Sequence, residues 1–417
     1  MRILWIAPNG GRFDLESQTG GGWISSLEKA LVETYPDMEL GIAFLSENYS
    51  EPVGRVNVTY FPVFKPPVGK CKRLWNRLRR RTEEEVLLKG FEKVANAYNP
   101  DLLQIWGAEH FHIKLAKSLK YPQVVHIQGY ASVISHYYLP FGVSVNDLKK
   151  CDGIINRILK RGYSYSYNCF LQRAETEKEY SQYVKNWIGR TEWDKSCAYI
   201  LNPSAKYYHC DELMRDDFNG EKWNYHFDGV IRIQSSIRDE WYKGVDIVIR
   251  TAKILKEAGC YVQWHIYGVS QKSALTKYFL SKYNCNPKKD GLIFHGNVKS
   301  DVISKGLRDV DVYVHPSYIE NSSNAIVEAQ LVGTPVIAQY VGGNPTMLNE
   351  ESGILVPCND PNMMAYAILQ MTHKEIAEKY SKNEREHVAK KSKEYVLRDL
   401  MNIYREVIKS EGISLTL

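Results

Sequence analysis

Apolar residues in this chain gather in short runs, separated by turn-forming residues and by stretches with helical spacing. Runs at Arg2–Ala7, Met38–Leu45, Val56–Val63, Asp101–Trp106 and Gln123–Gln128 predict strands in the first half. From about Asp228 the pattern becomes regular. Strands are predicted at Val230–Ser235, Tyr261–Tyr267, Leu292–His295, Asp311–His315, Pro335–Ala338 and Gly353–Val356. Between runs, apolar residues recur three and four apart, as in Ile24, Leu27 and Leu31, or in Val245, Val248, Ala252 and Leu255. Strands alternating with helices predict an α/β fold with a parallel, doubly wound sheet in each half. A last amphipathic helix is expected over about Ser392–Ile408. At 417 residues the chain is long enough for two or three domains, each with its own core.

The stretch Asp311–Tyr340 concentrates the chemistry. The predicted strand Asp311–His315 is bounded by Pro316 and Ser317, and Ser322 or Ser323 can cap a helix running to about Leu331, closed by Gly333 and Pro335. Glu320 lies in the loop before that helix and Glu328 about one and a half turns inside it. Both can reach the carboxyl end of the sheet, where open α/β sheets bind ligands. Between them the first-turn amides of Ser323, Asn324 and Ala325 lack helical partners and favour an anion. Carboxylates for hydroxyls beside an anion site suit a sugar nucleotide. The spacing alone is equally compatible with Glu328 as a solvated helix residue.

The order of motifs extends this reading. Gly333–Ala338 (GTPVIA), Val341–Pro345 (VGGNP) and Ser352–Pro357 (SGILVP) follow the two glutamates. This set resembles the E-x7-E region of retaining GT-B glycosyltransferases, family 4 in particular. It does so well over roughly residues 225 to 417 and more loosely before that. The resemblance implies two Rossmann-like domains facing across a cleft: an acceptor-side domain of residues 1–205 plus 390–417, and a nucleotide-sugar domain of residues 206–389. It implies that Glu320 contacts donor-sugar hydroxyls, that Glu328 holds the ribose, and that Arg238 and Lys243, in the loop SSIRDEWYKG, bind the diphosphate. Fixed cations there would stabilise the charge growing on the leaving group. Gly21 and Gly22, just before the helix bearing Ile24, would bring backbone close to the donor. A family histidine after the strand Gln123–Gln128 falls on Gln128 here, with His126 two residues earlier on the same side of the strand; His110 is a further candidate. Where the family carries Gly-Phe-Gly after the first acid, this chain has Asn321-Ser322-Ser323, which bears on donor-sugar preference.

Charge and cysteines narrow the setting. The net charge of +6 is unevenly spread. Residues 65–81 (KPPVGKCKRLWNRLRRR) place Leu74, Trp75 and Leu78 among many cations, a pattern expected of a helix lying on an anionic membrane surface. A second basic, aromatic stretch covers Ser144–Arg173. No nucleic-acid motif accompanies either. Eight cysteines with no C-x-x-C pair argue against zinc and for a reducing cytoplasm. Asp309-Val310-Asp311 is formally D-x-D, but its place at a helix-to-strand junction reads as a turn, so neither metal nor cofactor is expected. The function expected is a retaining, metal-independent hexosyltransferase. It would work at the inner membrane face on a nucleotide-sugar donor and a glycan or lipid-linked acceptor, for surface polysaccharide. A sugar-nucleotide epimerase of the same fold and a non-catalytic nucleotide-sugar-binding module are the alternatives.

Overall fold

The computed structural model describes residues 1–13, 22–48, 51–65, 84–389 and 391–412. The chain forms two compact units. One comprises Met1–Ser135, Ile154–Leu213 and Lys393–Leu417, the other His136–Gly153 and Met214–Ser392.

The first unit is built on eight strands: β1 (Arg2–Ile6), β2 (Glu39–Ser46), β3 (Val53–Arg55), β4 (Val58–Phe64), β5 (Leu102–Trp106), β6 (Gln123–His126), β7 (Asn186–Gly189) and β8 (Lys206–His209). They lie in the order β3-β4-β2-β1-β5-β6-β7-β8. All neighbours are parallel except the short β3, which pairs antiparallel with β4. Ile3, Trp5, Leu4 and Ile6 of β1 are all buried, and the two faces of the sheet feed separate apolar clusters. That is why these strands read as continuous apolar runs rather than alternating ones. One cluster takes Leu27 and Leu31 of the helix Gly22–Thr34 together with Leu397, Leu400, Tyr404 and Val407 of the helix Lys393–Ser410. Strands β7 and β8 were not foreseen. Their four residues each are too short for a period.

The second unit holds β9 (Val230–Ser236), β10 (Tyr261–Tyr267), β11 (Leu292–Gly296), β12 (Val312–His315), β13 (Val336–Gln339) and β14 (Ile354–Val356), in the order β11-β10-β9-β12-β13-β14. Every pair is parallel. From β9 the chain winds outward through β10 and β11; from β12 it winds the other way through β13 and β14. β9 and β12 therefore flank the switch in winding, where the carboxyl ends of the strands leave a crevice that no crossover fills.

Candidate functional site

The loop leaving β9 is pinned against the loop leaving β12. Trp241 is fully buried and packs edge-on against Phe279. Two residues of its 3-10 turn, Tyr242 and Lys243, then face the β12 side. The Tyr318 amide donates to the Tyr242 carbonyl (2.8 Å). Gly244 has φ 79°, and a Cβ there would overlap the Pro316 carbonyl, so the glycine is required by the close approach of the two loops. This fixes Lys243 at the switch point, where its ammonium forms an ion pair with Glu320. The backbone of Glu320 is clamped as well. Gly343 N–H donates to its carbonyl (3.0 Å), and any side chain at Gly342 would strike that oxygen.

His315, the last residue of β12, joins the pair through Nε2, which lies 3.0 Å from Glu320 Oε1, while Tyr313 Oη sits 3.3 Å from His315 Nδ1. A carboxylate can only accept, so the Nε2 contact calls for a proton on Nε2, and in the neutral ring Nδ1 is then the acceptor facing the phenol. Burial alone would raise the Glu320 pKa. The Lys243 charge and the His315 hydrogen bond outweigh it and hold the carboxyl well below the usual range. Glu320 is thus an ionised acceptor at neutral pH.

Glu328 lies on the buried side of the helix Asn324–Val332 and meets the Arg215 guanidinium at 2.5 Å. Arg215 rests over the ring of the buried Phe218, 5.4 Å from its centroid. Burial raises the Glu328 pKa and Arg215 only partly offsets it. Burial pushes the Tyr313 pKa upward, and the charges of both Glu328 and Glu320 add to that push. Tyr313, His315, Glu320 and Lys243 form one chain of contacts at the carboxyl end of β12, and Glu328 of the following helix forms a separate ion pair with Arg215.

The neighbouring positions divide. Arg238 is exposed on the same loop, and among the described residues it partners neither glutamate. The helix begins at Asn324 as expected, with Ser323 at its cap, but no side-chain cap bond forms. Of the three amides expected to be open, that of Ser323 instead donates to Met347 Sδ (3.1 Å), so it is not open to an anion; Asn324 and Ala325 lie half-buried in the first turn. Asn321 is 5% exposed, and its Oδ1 has no hydrogen-bond partner among the described residues. Asp309 is gripped by Arg308 (2.7 and 2.8 Å), and Asp311 accepts from the Arg232 amide (2.7 Å), which are the roles of junction residues.

In the first unit, His126 ends β6 in the core, its ring stacked on Trp106 at 4.4 Å and its Nδ1 3.3 Å from Gln104. Burial, with the nearby Arg190 charge, pushes its pKa down to about 3. Because the strand stops at His126, its alternation does not extend to Gln128, whose side-chain amide donates to the Ile127 carbonyl (3.0 Å). Gly22 starts the helix Gly22–Thr34; Gly21 and nearly all of residues 65–81 fall outside the described residues. Next to β5, the Glu109 carboxyl is pushed up to about 8 by burial and by Glu177. Its neighbour His110 is pushed down to about 4 by burial and Arg173.

Similarity to known proteins bears on the second unit first. The sequence profile described as glycosyl transferases group 1 matches residues 230–374, the span from β9 through the helix after β14. Over that span the chain is similar to the glycosyl transferases of group 1. A D-inositol 3-phosphate glycosyltransferase of Saccharomonospora viridis is 37% identical over 103 residues, and the match spans only 24% of that relative's length and 24% of this chain. Among solved structures, sucrose-phosphate synthase from Thermosynechococcus elongatus superposes with a TM-score of 0.70 at 16% identity, covering 98% of this chain and 99% of its own. Anabaena HepE in complex with UDP-glucose gives 0.61 at 13% identity, covering 98% and 100%. The fold is GT-B, two Rossmann-like parallel-sheet units in one chain. Arg215, Tyr313 and His315 escaped the sequence reading. His315 was within reach of it, since the last residue of a buried strand at a switch point faces the ligand crevice. Arg215 carries no periodic or motif signal.

Proposed function

We propose that this chain is a retaining glycosyltransferase. It would take a sugar from a nucleotide-sugar donor and pass it to a glycan or lipid-linked glycan in surface polysaccharide synthesis. The observation that carries the reading is the Lys243–Glu320 pair at the β9/β12 switch, with His315 on the same carboxylate. A donor diphosphate entering the crevice replaces a carboxylate with phosphate oxygens at Lys243, and that fixed ammonium then stabilises the charge that grows as the sugar–phosphate bond breaks. Glu328, once its pairing with Arg215 is shared, accepts hydrogen bonds from the ribose hydroxyls, and the Arg215 charge favours its carboxylate form against burial. Glu320, acceptor-only in its ionised form, binds donor-sugar hydroxyls and orients the anomeric carbon. No protein nucleophile is assigned, and the cations make a divalent metal unnecessary.

The UDP-glucose bound by HepE, which shares the fold, supports a nucleotide-sugar donor here. A lipid-linked acceptor agrees with the basic segment 65–81 acting at a membrane from the cytoplasmic side. Among the described residues no helix is long and apolar enough to cross one. The test is release of nucleoside diphosphate from a panel of nucleotide sugars with matched acceptors, in the presence of a chelator, with the anomeric configuration of the product read by NMR. Turnover with retention in chelator supports the reading; no release from any donor, or product with inverted configuration, refutes it.

A further inference from the structure

Two residues before Glu320 lies Tyr318, a buried side chain outside the proposed donor contacts. It is tied at both ends to the segment that carries Lys243. Its amide donates to the carbonyl of Tyr242 (2.8 Å), the residue before Lys243. Its phenol donates to Asp246 Oδ2 (2.6 Å), in the first turn of the helix Val245–Glu257. A phenol has one proton, and the Asp246 contact is the shorter one. Asn359 Oδ1, 3.2 Å from the phenol, receives its hydrogen bond from Arg250 (2.7 Å). Asp246 is fully buried. Burial pushes its carboxyl up to about 6, opposed by the Tyr318 hydrogen bond and the Arg250 charge, so at neutral pH it is mainly a carboxylate. Burial also pushes the Tyr318 phenol upward, and the Asp246 charge adds to that, so the phenol keeps its proton. The bond is therefore hydroxyl to carboxylate, charge-assisted and shielded from water.

Residues 316–323 lie outside strands and helices, so regular backbone does not fix Glu320 relative to Lys243. Gly343 holds the Glu320 carbonyl against the loop after β13. We infer that Tyr318 is a positioning residue: braced between Tyr242 and Asp246, it sets Glu320 in register with Lys243. The inference rests on the transferase reading for its effect on turnover, while the brace itself is independent of that reading. Lys243 keeps its own supports in the burial of Trp241 and the close approach at Gly244. A nucleoside diphosphate carries no sugar, so its binding reports the Lys243 side, and turnover reports Glu320 as well. A displacement of about 1 Å at a group that orients the anomeric carbon costs up to about a hundredfold in rate.

The experiment compares Tyr318→Phe, Asp246→Ala and Asp246→Asn with the unchanged full chain. The readouts are amide hydrogen exchange, unfolding midpoint, kinetics on the nucleotide sugar the chain uses, and calorimetric binding of the nucleoside diphosphate released from it. Tyr318→Phe and Asp246→Ala should each speed exchange in residues 316–323 and lower kcat about tenfold or more, with diphosphate affinity within about threefold. Asp246→Asn still offers an oxygen to the phenol, so it should rescue kcat to within about threefold of the unchanged chain. Either of the first two variants suffices if the other does not fold. An unchanged kcat overturns the inference. So does an equal loss of diphosphate affinity, which is what general loosening gives, or an Asp246→Asn loss as large as that of Asp246→Ala. If the unchanged chain turns over no nucleotide sugar, the transferase reading fails by itself and exchange decides. Faster exchange confined to 316–323 in Tyr318→Phe then supports the brace, and equal exchange overturns it.

Discussion

The two units carry the same kind of parallel sheet, yet the groups at their carboxyl edges are in opposite electrostatic states. Beside β12, Lys243 and His315 hold Glu320 ionised despite desolvation, and Arg215 partly offsets the burial that raises Glu328. Beside β5 and β6, Glu109 is pushed up to about 8 while His110 and His126 are pushed down to about 4 and 3, so burial favours the neutral form of each. Burial disfavours charge in both places; what differs is whether a countercharge is built in. An edge that keeps its charges is suited to phosphates and to hydroxyls held by carboxylates. An edge that suppresses them suits an uncharged surface such as the face of a sugar.

The contrast breaks most visibly at Glu320. Glu320→Gln keeps the shape but removes the ionised acceptor, and kcat is expected to fall by about a hundredfold or more with the fold intact by circular dichroism. Activity near that of the unchanged enzyme would mean the charged edge is not the reacting one. Lys243→Ala should cost about as much in kcat/KM and abolish the thermal shift given by UDP. Arg215→Ala is expected to raise the donor KM about tenfold with kcat little changed, because it removes a partner of the acid proposed to hold the ribose rather than a group proposed at the reacting bond. An equal fall in kcat would move Arg215 into the reaction itself.

The neutral edge is tested by stability against pH. The Glu109 carboxyl in the folded chain titrates near 8, above its ordinary value of 4.5. Between those values the folded state keeps a proton that the unfolded state has lost, so this group's contribution to stability declines as pH rises from 4.5 to about 8. Glu109→Gln should remove that decline and gain about 1–2 kcal/mol at pH 8 over the unchanged chain, read by urea unfolding; identical slopes for the two chains would show that the carboxyl is not suppressed. The smallest expected effect concerns the donor sugar. Asn321→Gly deletes a buried oxygen without a partner and should change relative use of two hexose donors by a few-fold, measured as a ratio of kcat/KM.

Much of the second unit was legible because its strands are buried on both faces and its helices on one, so their apolar periods are strong. Tyr261–Tyr267 matches its predicted bounds, and Val245 opens its helix as predicted. Glu320, Glu328 and Lys243 were singled out through motif order, and the structure pairs Glu320 with Lys243 at the β9/β12 switch. What could not be read is contact between distant segments: the Arg215 pairing joins residues 113 apart, and the sulfur contact that occupies the Ser323 amide depends on how the chain returns at Met347. His126 shows the converse. A histidine near a strand end looks reactive in sequence, but Trp106 and Gln104 make it part of the core.

The helix Lys393–Ser410 has a consequence for biosynthesis. Its Leu397, Leu400, Tyr404 and Val407 complete the apolar cluster around Ile3, Trp5 and Leu27, and Tyr404 Oη meets both Trp5 Nε1 (3.2 Å) and Gln104 (2.5 Å). Although synthesised first, the amino-terminal sheet cannot close that face until these residues leave the ribosome. The intervening unit, continuous from Met214 to Ser392 apart from the short piece His136–Gly153, is free to fold earlier. Nascent chains stalled before Lys393 should therefore expose the amino-terminal part to protease and chaperone while the later-made part is already protected.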